Sequence, residues 1–177
     1  MDINKLKVGD NPPEDVNVII EIPLLAEPVK YEFDKESGFI FVDRLLNTSM
    51  HYPCNYGFIP HTISDDGDPI DVLVVTDLPL LSGSFIQCRP VGVLIMEDEA
   101  GRDEKLLSVP VDKVCFEQSH IKEPSDISEV LLNKISHFFE HYKDLEKGKW
   151  AKTEGIEGSA KAKELILEGI ESHKNVK

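Results

Sequence analysis

Asp66-Gly67-Asp68-Pro69-Ile70-Asp71-Val72-Leu73-Val74-Val75 is an acidic turn that runs straight into an apolar stretch, with Asp65 just ahead of it. Gly67 supplies the backbone freedom of a turn and Pro69 fixes φ. Val72–Val75 reads as a buried strand. Carboxylates crowded on such a turn repel one another, and each one withdrawn from water costs several kcal/mol unless a cation offsets it. Hard divalent ions such as Mg²⁺ suit oxygen ligands on a short rigid turn. A solvated acidic loop is the plain alternative.

Outward from this turn, the chain reads as short strands followed by helices. Val16–Ile22 alternates well enough for a strand and stops at Pro23. Segments 30–34 and 39–44 flank Lys35-Glu36-Ser37-Gly38 as a hairpin. Segments 72–75, 85–96 and 105–109 complete roughly six strands, with Pro90 forcing a bulge or an edge in the longest. Beyond residue 125 the period changes. Asp126 with Glu129 fits an N-cap, and Leu131, Ile135, Phe138 and Tyr142 share one helical face that ends near Lys147-Gly148. A second helix is predicted from Ser159 to about Ser172. This pattern predicts an α+β fold, a small closed or partly open barrel with helices packed outside.

The 177 residues suit one domain, 1–177, and a chain of this length buries about 70% of its unfolded surface without disulfides or structural metals. The three cysteines are widely spaced and form no Cys-x-x-Cys pair, which argues against a zinc ribbon and a disulfide framework. No charged start followed by an apolar run marks a signal peptide, and no apolar run is long enough to span a bilayer, so a cytoplasmic protein is expected. A net charge of −14 disfavours nucleic acid and anionic membrane as partners. An anionic substrate would need local metals and placed Lys and Arg to reverse the sign of that field.

A strand sends residues i and i+2 to one face, so Lys30 and Glu32 point together, with Tyr31 and Phe33 toward the core. Arg44 on the partner strand reaches the same face, and Glu21 sits between Ile20 and Ile22. Taken singly, each of these charges reads as solvent-facing on an antiparallel sheet. A second acidic turn, Glu97-Asp98-Glu99 with Gly101, Asp103 and Lys105, resembles an ordinary charged hairpin loop. Two acidic turns with Lys and Arg beside them fit metal ions plus a highly charged oxyanion, phosphate above all. Tyr52 and Tyr56 add phenols able to donate to phosphate without adding charge.

Several motifs fail. The Asp66 turn lacks the Gly and Glu of an EF-hand, and no P-loop or nucleophile-elbow serine exists. His137 and His141 stand at i and i+4 without the zinc-protease Glu, and are expected at the surface or a subunit contact.

Glu21-Ile22-Pro23, Lys30-Tyr31-Glu32, Asp43-Arg44, Tyr52-Pro53-Cys54-Asn55-Tyr56-Gly57, Asp66–Asp71, Asp98–Asp103 and Tyr142-Lys143 together resemble the soluble family I inorganic pyrophosphatases, most closely the short bacterial form. The resemblance covers nearly the whole chain in order and spacing; Asp65 and Arg102 stand at variable positions. It implies a five-stranded OB-like β-barrel with additional strands and two main C-terminal α-helices, several Mg²⁺ ions per subunit (Mn²⁺ or Zn²⁺ as substitutes), and a homohexamer of two trimers. It also implies roles. Asp66, Asp71 and Asp103 would hold the tightest metal, Asp98 with Asp103 a metal arriving with substrate, and Glu21 with Glu32 another through water. Lys30, Arg44, Tyr56, Lys105, Tyr142 and Lys143 would bind the phosphates, with Tyr52 and Glu99 in support.

The expected reaction is hydrolysis of pyrophosphate to two phosphates by a metal-activated water, in line and without a covalent intermediate. Asp68 would be the general base, with Arg44, Lys143 and Tyr142 neutralising the departing phosphate. Ca²⁺, with longer bonds and more ligands, should inhibit. Two other classes compete: an OB-like module that binds polyphosphate without turnover, and a phosphatase using Asp66 as a covalent nucleophile.

Overall fold

The structure, a computed structural model, describes residues 2–176. Its strands are β1 (Val16–Ile22), β2 (Val29–Phe33), β3 (Ile40–Leu45), β4 (Asn55–Phe58), β5 (Asp71–Val74), β6 (Phe85–Asp98), β7 (Gly101–Arg102), β8 (Lys105–Pro110) and β9 (Ala151–Gly158). Two α-helices follow the barrel strands, α1 (Glu129–His141) and α2 (Ser159–Val176). The sheet order β1-β4-β5-β8-β6 closes on itself through a β1–β6 pairing, giving a ring of five strands, with β7 and β9 added along β6. Within the ring β5 and β8 run parallel, Asp71 opposite Lys105, while the other ring pairs are antiparallel. β2 and β3 form a separate two-stranded hairpin.

Alternation along the strands explains the apolar runs. Leu73, Leu94 and Leu107 join one core cluster with Ile135, Phe138 and Phe139 of α1, whereas Val72, Val93 and Leu106 join a second with Ala162 and Ile166 of α2. Both faces of β5 and β8 are therefore buried, and such strands read as continuous hydrophobic stretches. β1 behaves likewise. All seven of its residues are buried, so the alternation expected of it is absent. Gly57 permits the close approach of β1 and β4, since a Cβ there would lie 1.9 Å from the Ile19 carbonyl oxygen.

Three expectations are corrected. The N-cap position of helix α1 is Ser128, not Asp126, and the Asp126 carboxylate instead accepts the N–H groups of Lys122 and Glu123 around the preceding 3₁₀ turn. The helix also ends at His141, well before Gly148; a series of tight turns carries residues 142–149 onward. Finally, β4 and β9 were not foreseen: the first reads as an aromatic turn and the second, with two glycines and little apolar content, carries no strand signal. The bulge expected at Pro90 is present as a register shift between Pro90 and Gly92.

Candidate active site

An open cleft of about 250 Å³ lies where β5, β8, the β6–β7 turn, the β2–β3 hairpin and the Asp66 loop meet. Every site residue expected from sequence lines it except Tyr52, which stands behind Tyr56 (ring centroids 5.5 Å) and against Phe138 (4.7 Å).

The parallel β5–β8 pair builds the deepest wall. Register places Asp71 beside Lys105, and the Lys105 ammonium donates to both Asp71 and Asp103. Lys105 is 3% exposed. Burial alone would depress its pKa, but the two facing carboxylates outweigh that and hold it above the ordinary lysine range. The ammonium also lies 5.8 Å from the centre of the Tyr56 ring. Burial, reinforced by the charges of Asp71 and Asp103, keeps the Tyr56 phenol protonated well beyond its usual range.

The second acidic turn is pinned from across the cleft. Lys143, just past the end of α1, donates to Asp98 (2.6 Å) and sits 3.4 Å from Glu99, and the Trp150 N–H reaches Glu99 at 3.4 Å. Burial pushes the Asp98 carboxyl up, yet the hydrogen bonds from Lys143 and the Ala100 N–H bring it below the usual range. Tyr142, the α1 cap residue, is buried beside it, and burial raises its phenol well above normal. This turn is no free hairpin loop: the early helix end turns Lys143 back toward it.

The hairpin contributes the third side. Lys30 pairs in register with Arg44, donates to Glu32, and lies 3.5 Å from Asp43. Glu21 overturns its solvent-facing reading. It is 7% exposed and accepts the Phe33 N–H at 2.7 Å, which ties the hairpin to β1. Burial, helped by the charges of Asp71 and Glu32, pushes its carboxyl up to about 8.

The Asp66 loop closes the cleft. Asp66 Oδ1 accepts the Asp68 N–H at 2.9 Å, and Gly67 sits at φ +90°, which favours glycine. The Asp68 side chain is 80% exposed, 4.0 Å from Lys35. Burial and the charges of Asp71, Asp103 and Asp68 raise the Asp66 carboxyl against the lowering bond from the Asp68 N–H.

Lys35, Arg102 and Lys149 also line the cleft and were not singled out. Lys35 belongs to the predicted hairpin turn and Arg102 to the second acidic turn. Only the early end of α1 brings Lys149 in, and no sequence signal marks it.

Carboxylates outnumber cations around the cleft. Asp66 and Glu21 have carboxyls raised first by burial and then by the neighbouring carboxylates. All the acidic ligands are oxygen donors, the set that fits a hard divalent cation. Among the described residues no group of three metal-ligating side chains forms a closed cage. Lysine ammoniums stand between the carboxylates, and these groups would have to part for a metal to share Asp71 and Asp103.

The sequence profile of the family described as inorganic pyrophosphatase matches residues 18–174. The chain is similar to the inorganic pyrophosphatase of Rhodospirillum rubrum, 59% identical over 99% of this chain and 100% of the relative. It is 61% identical to that of Rickettsia bellii over 97% of each. Among solved structures, the inorganic pyrophosphatase of Coxiella burnetii superposes with a TM-score of 0.92 at 51% identity, over 95% of this chain and 99% of the other. That of Thermus thermophilus gives 0.92 at 41%, over 98% and 99%.

Proposed function

This chain belongs to the inorganic pyrophosphatase family, hydrolases that split pyrophosphate into phosphate with a divalent metal, and we propose that it does so by in-line attack of water with Asp68 as general base. Mg²⁺ is the natural ion for the oxygen-only donor set. Asp66, Asp71, Asp98 and Asp103, with Glu21 and Glu32 behind them, would hold it. Bound there, such ions supply Lewis-acid charge and lower the pKa of a water.

The remaining work falls to this chain's own side chains. Asp68, on the exposed rim, receives the proton of the attacking water at its carboxylate. Lys30, Arg44, Lys105 and Lys143 bind and orient the phosphates, and Tyr56 and Tyr142, kept as phenols, donate to phosphate oxygens without adding charge. Arg44, Lys143 and Tyr142 neutralise charge on the departing phosphate. Tyr52 and Glu99 fix Tyr56 and Lys143. The supporting observation is that acidic and basic side chains from five separate segments face one cleft, with Lys105 between Asp71 and Asp103 at its base.

Residues 1–177 act as one catalytic domain, in the cytoplasm, as a homohexamer. No helix among the described residues is long and apolar enough to cross a membrane.

Phosphate release from pyrophosphate, measured with Mg²⁺ and then with a chelator, tests the metal. Ca²⁺ in its place should support little turnover. Asp68→Asn should lower kcat at least ~100-fold, with KM and melting temperature little changed. A near-normal kcat in that variant assigns the base elsewhere.

A further inference from the structure

We infer that Glu146 is a positioning residue that holds the Arg44 guanidinium at the phosphate site while leaving its hydrogen-bond donors uncommitted; this rests on the proposed role of Arg44. Lys30, Lys105 and Lys143 each donate to a carboxylate in the structure, so a phosphate must displace or share those bonds. Arg44 differs. Its ionic partner is Glu146, with Nη1 3.8 Å from Oε2, too long for a direct hydrogen bond. Its Nε is buried without a hydrogen-bond partner, and so is Oε1 of Glu146.

A guanidinium clamped by a carboxylate would spend two parallel N–H donors on it. Here Glu146 compensates the charge of Arg44 and leaves its Nη donors for a phosphate. Glu146 does not itself line the cleft, so it acts through Arg44. It is only 11% exposed, and its position is fixed by the backbone. The Glu146 N–H bonds the carbonyl of Lys143 at 2.8 Å, and Lys143 is held by Asp98. Lys149, another cleft residue, lies 3.3 Å from the same Glu146 oxygen. Turn residues 143–149 thus connect the hairpin's arginine to the opposite acidic wall.

The test is a double-mutant cycle of Glu146→Gln and Arg44→Ala, read as kcat/KM for pyrophosphate with Mg²⁺. Glu146→Gln alone should lower kcat/KM about tenfold, and in the Arg44→Ala background by less than about twofold. Glu146→Asp keeps the charge on a shorter arm and should recover at least about threefold over Gln, because the contact is ionic and not a hydrogen bond. Should the Gln variant fail to fold, the Asp variant runs in the same cycle, with a smaller loss that again vanishes in the Arg44→Ala background. Equal losses in both backgrounds, or a Gln variant within twofold of the parent, overturn the role of Glu146. Full activity in Arg44→Ala alone overturns the phosphate role of Arg44, and this inference with it.

Discussion

The β5–β8 wall and the β2–β3 hairpin carry the same kinds of charge in opposite settings. On the wall, Lys105 is almost wholly buried and paired with two carboxylates, and the strands around it are apolar on both faces. On the hairpin, Lys30, Glu32 and Asp43 are partly open to solvent, and the outer positions Phe39, Phe41 and Val42 are exposed. The hairpin joins the barrel chiefly through Phe33, packed with Ile19 and Phe58, and through the Glu21 carboxylate on the Phe33 N–H. Charges on the wall are thus part of what holds the fold, and those on the hairpin are available for ligand at little structural cost.

Mutation should separate the two regions. The largest effect is expected from Lys105→Met, which strands Asp71 and Asp103 as unpaired carboxylates; denaturant unfolding should show a loss of about 3–5 kcal/mol, with activity abolished. A loss below 1 kcal/mol would mean that the wall's charges are as dispensable as the hairpin's.

Glu21 lies on the seam between the regions, and its effect should depend on pH. With its folded pKa raised to about 8 against an ordinary value of 4.5, the folded state binds more protons than the unfolded one between those limits. Stability contributed by the protonated carboxyl is therefore full below about 4.5 and lost as pH rises through about 8. Metal-free protein should lose ~2–4 kcal/mol over that window from this group, and Glu21→Gln should flatten the slope. Melting curves in chelator at pH 5 and pH 8 measure it; an unchanged slope in the Gln variant would mean that the burial is compensated by other groups.

Lys30→Met should cost about tenfold in kcat/KM and under ~1 kcal/mol in stability, since its ion pairs are partly solvated. Arg102→Ala should do least, the arginine side chain being 63% exposed where it meets Glu104 at 3.3 Å. Equal melting temperatures for that variant and the parent, by calorimetry, would place Arg102 outside both regions' structural frameworks.

Legibility in the sequence followed the same division. Asp66–Asp71 was readable because a turn former, a rigid proline and an apolar run come together in order. The shared face of Lys30 and Glu32 followed from strand period, and the hairpin brought Arg44 to it. Burial of Glu21 and Lys105 could not be read, because it depends on which strand lies across from each, and the parallel β5–β8 register is a long-range event. β9 illustrates the limit from the other side. Its alternating exposure is imposed by β6, with a register shift at Ile95/Met96 and Gly155 at φ +128°. Its own composition offers nothing to a period count. Resemblance to known sequences brought the scattered residues together where local pattern could not.

The 14 residues of β6 pair with β1, β8, β7 and β9, and the ring closes only when residues 16–19 meet residues 85–88. Three of the five ring pairings, β1–β4, β1–β6 and β5–β8, join segments more than 30 residues apart, and such topologies fold slowly because loop-closure entropy is lost before the contacts form. Asp71 and Lys105 come from a parallel pair that no local turn can nucleate. A nascent or refolding chain therefore assembles its acidic wall late, and regained turnover reports closure of the ring, not mere collapse.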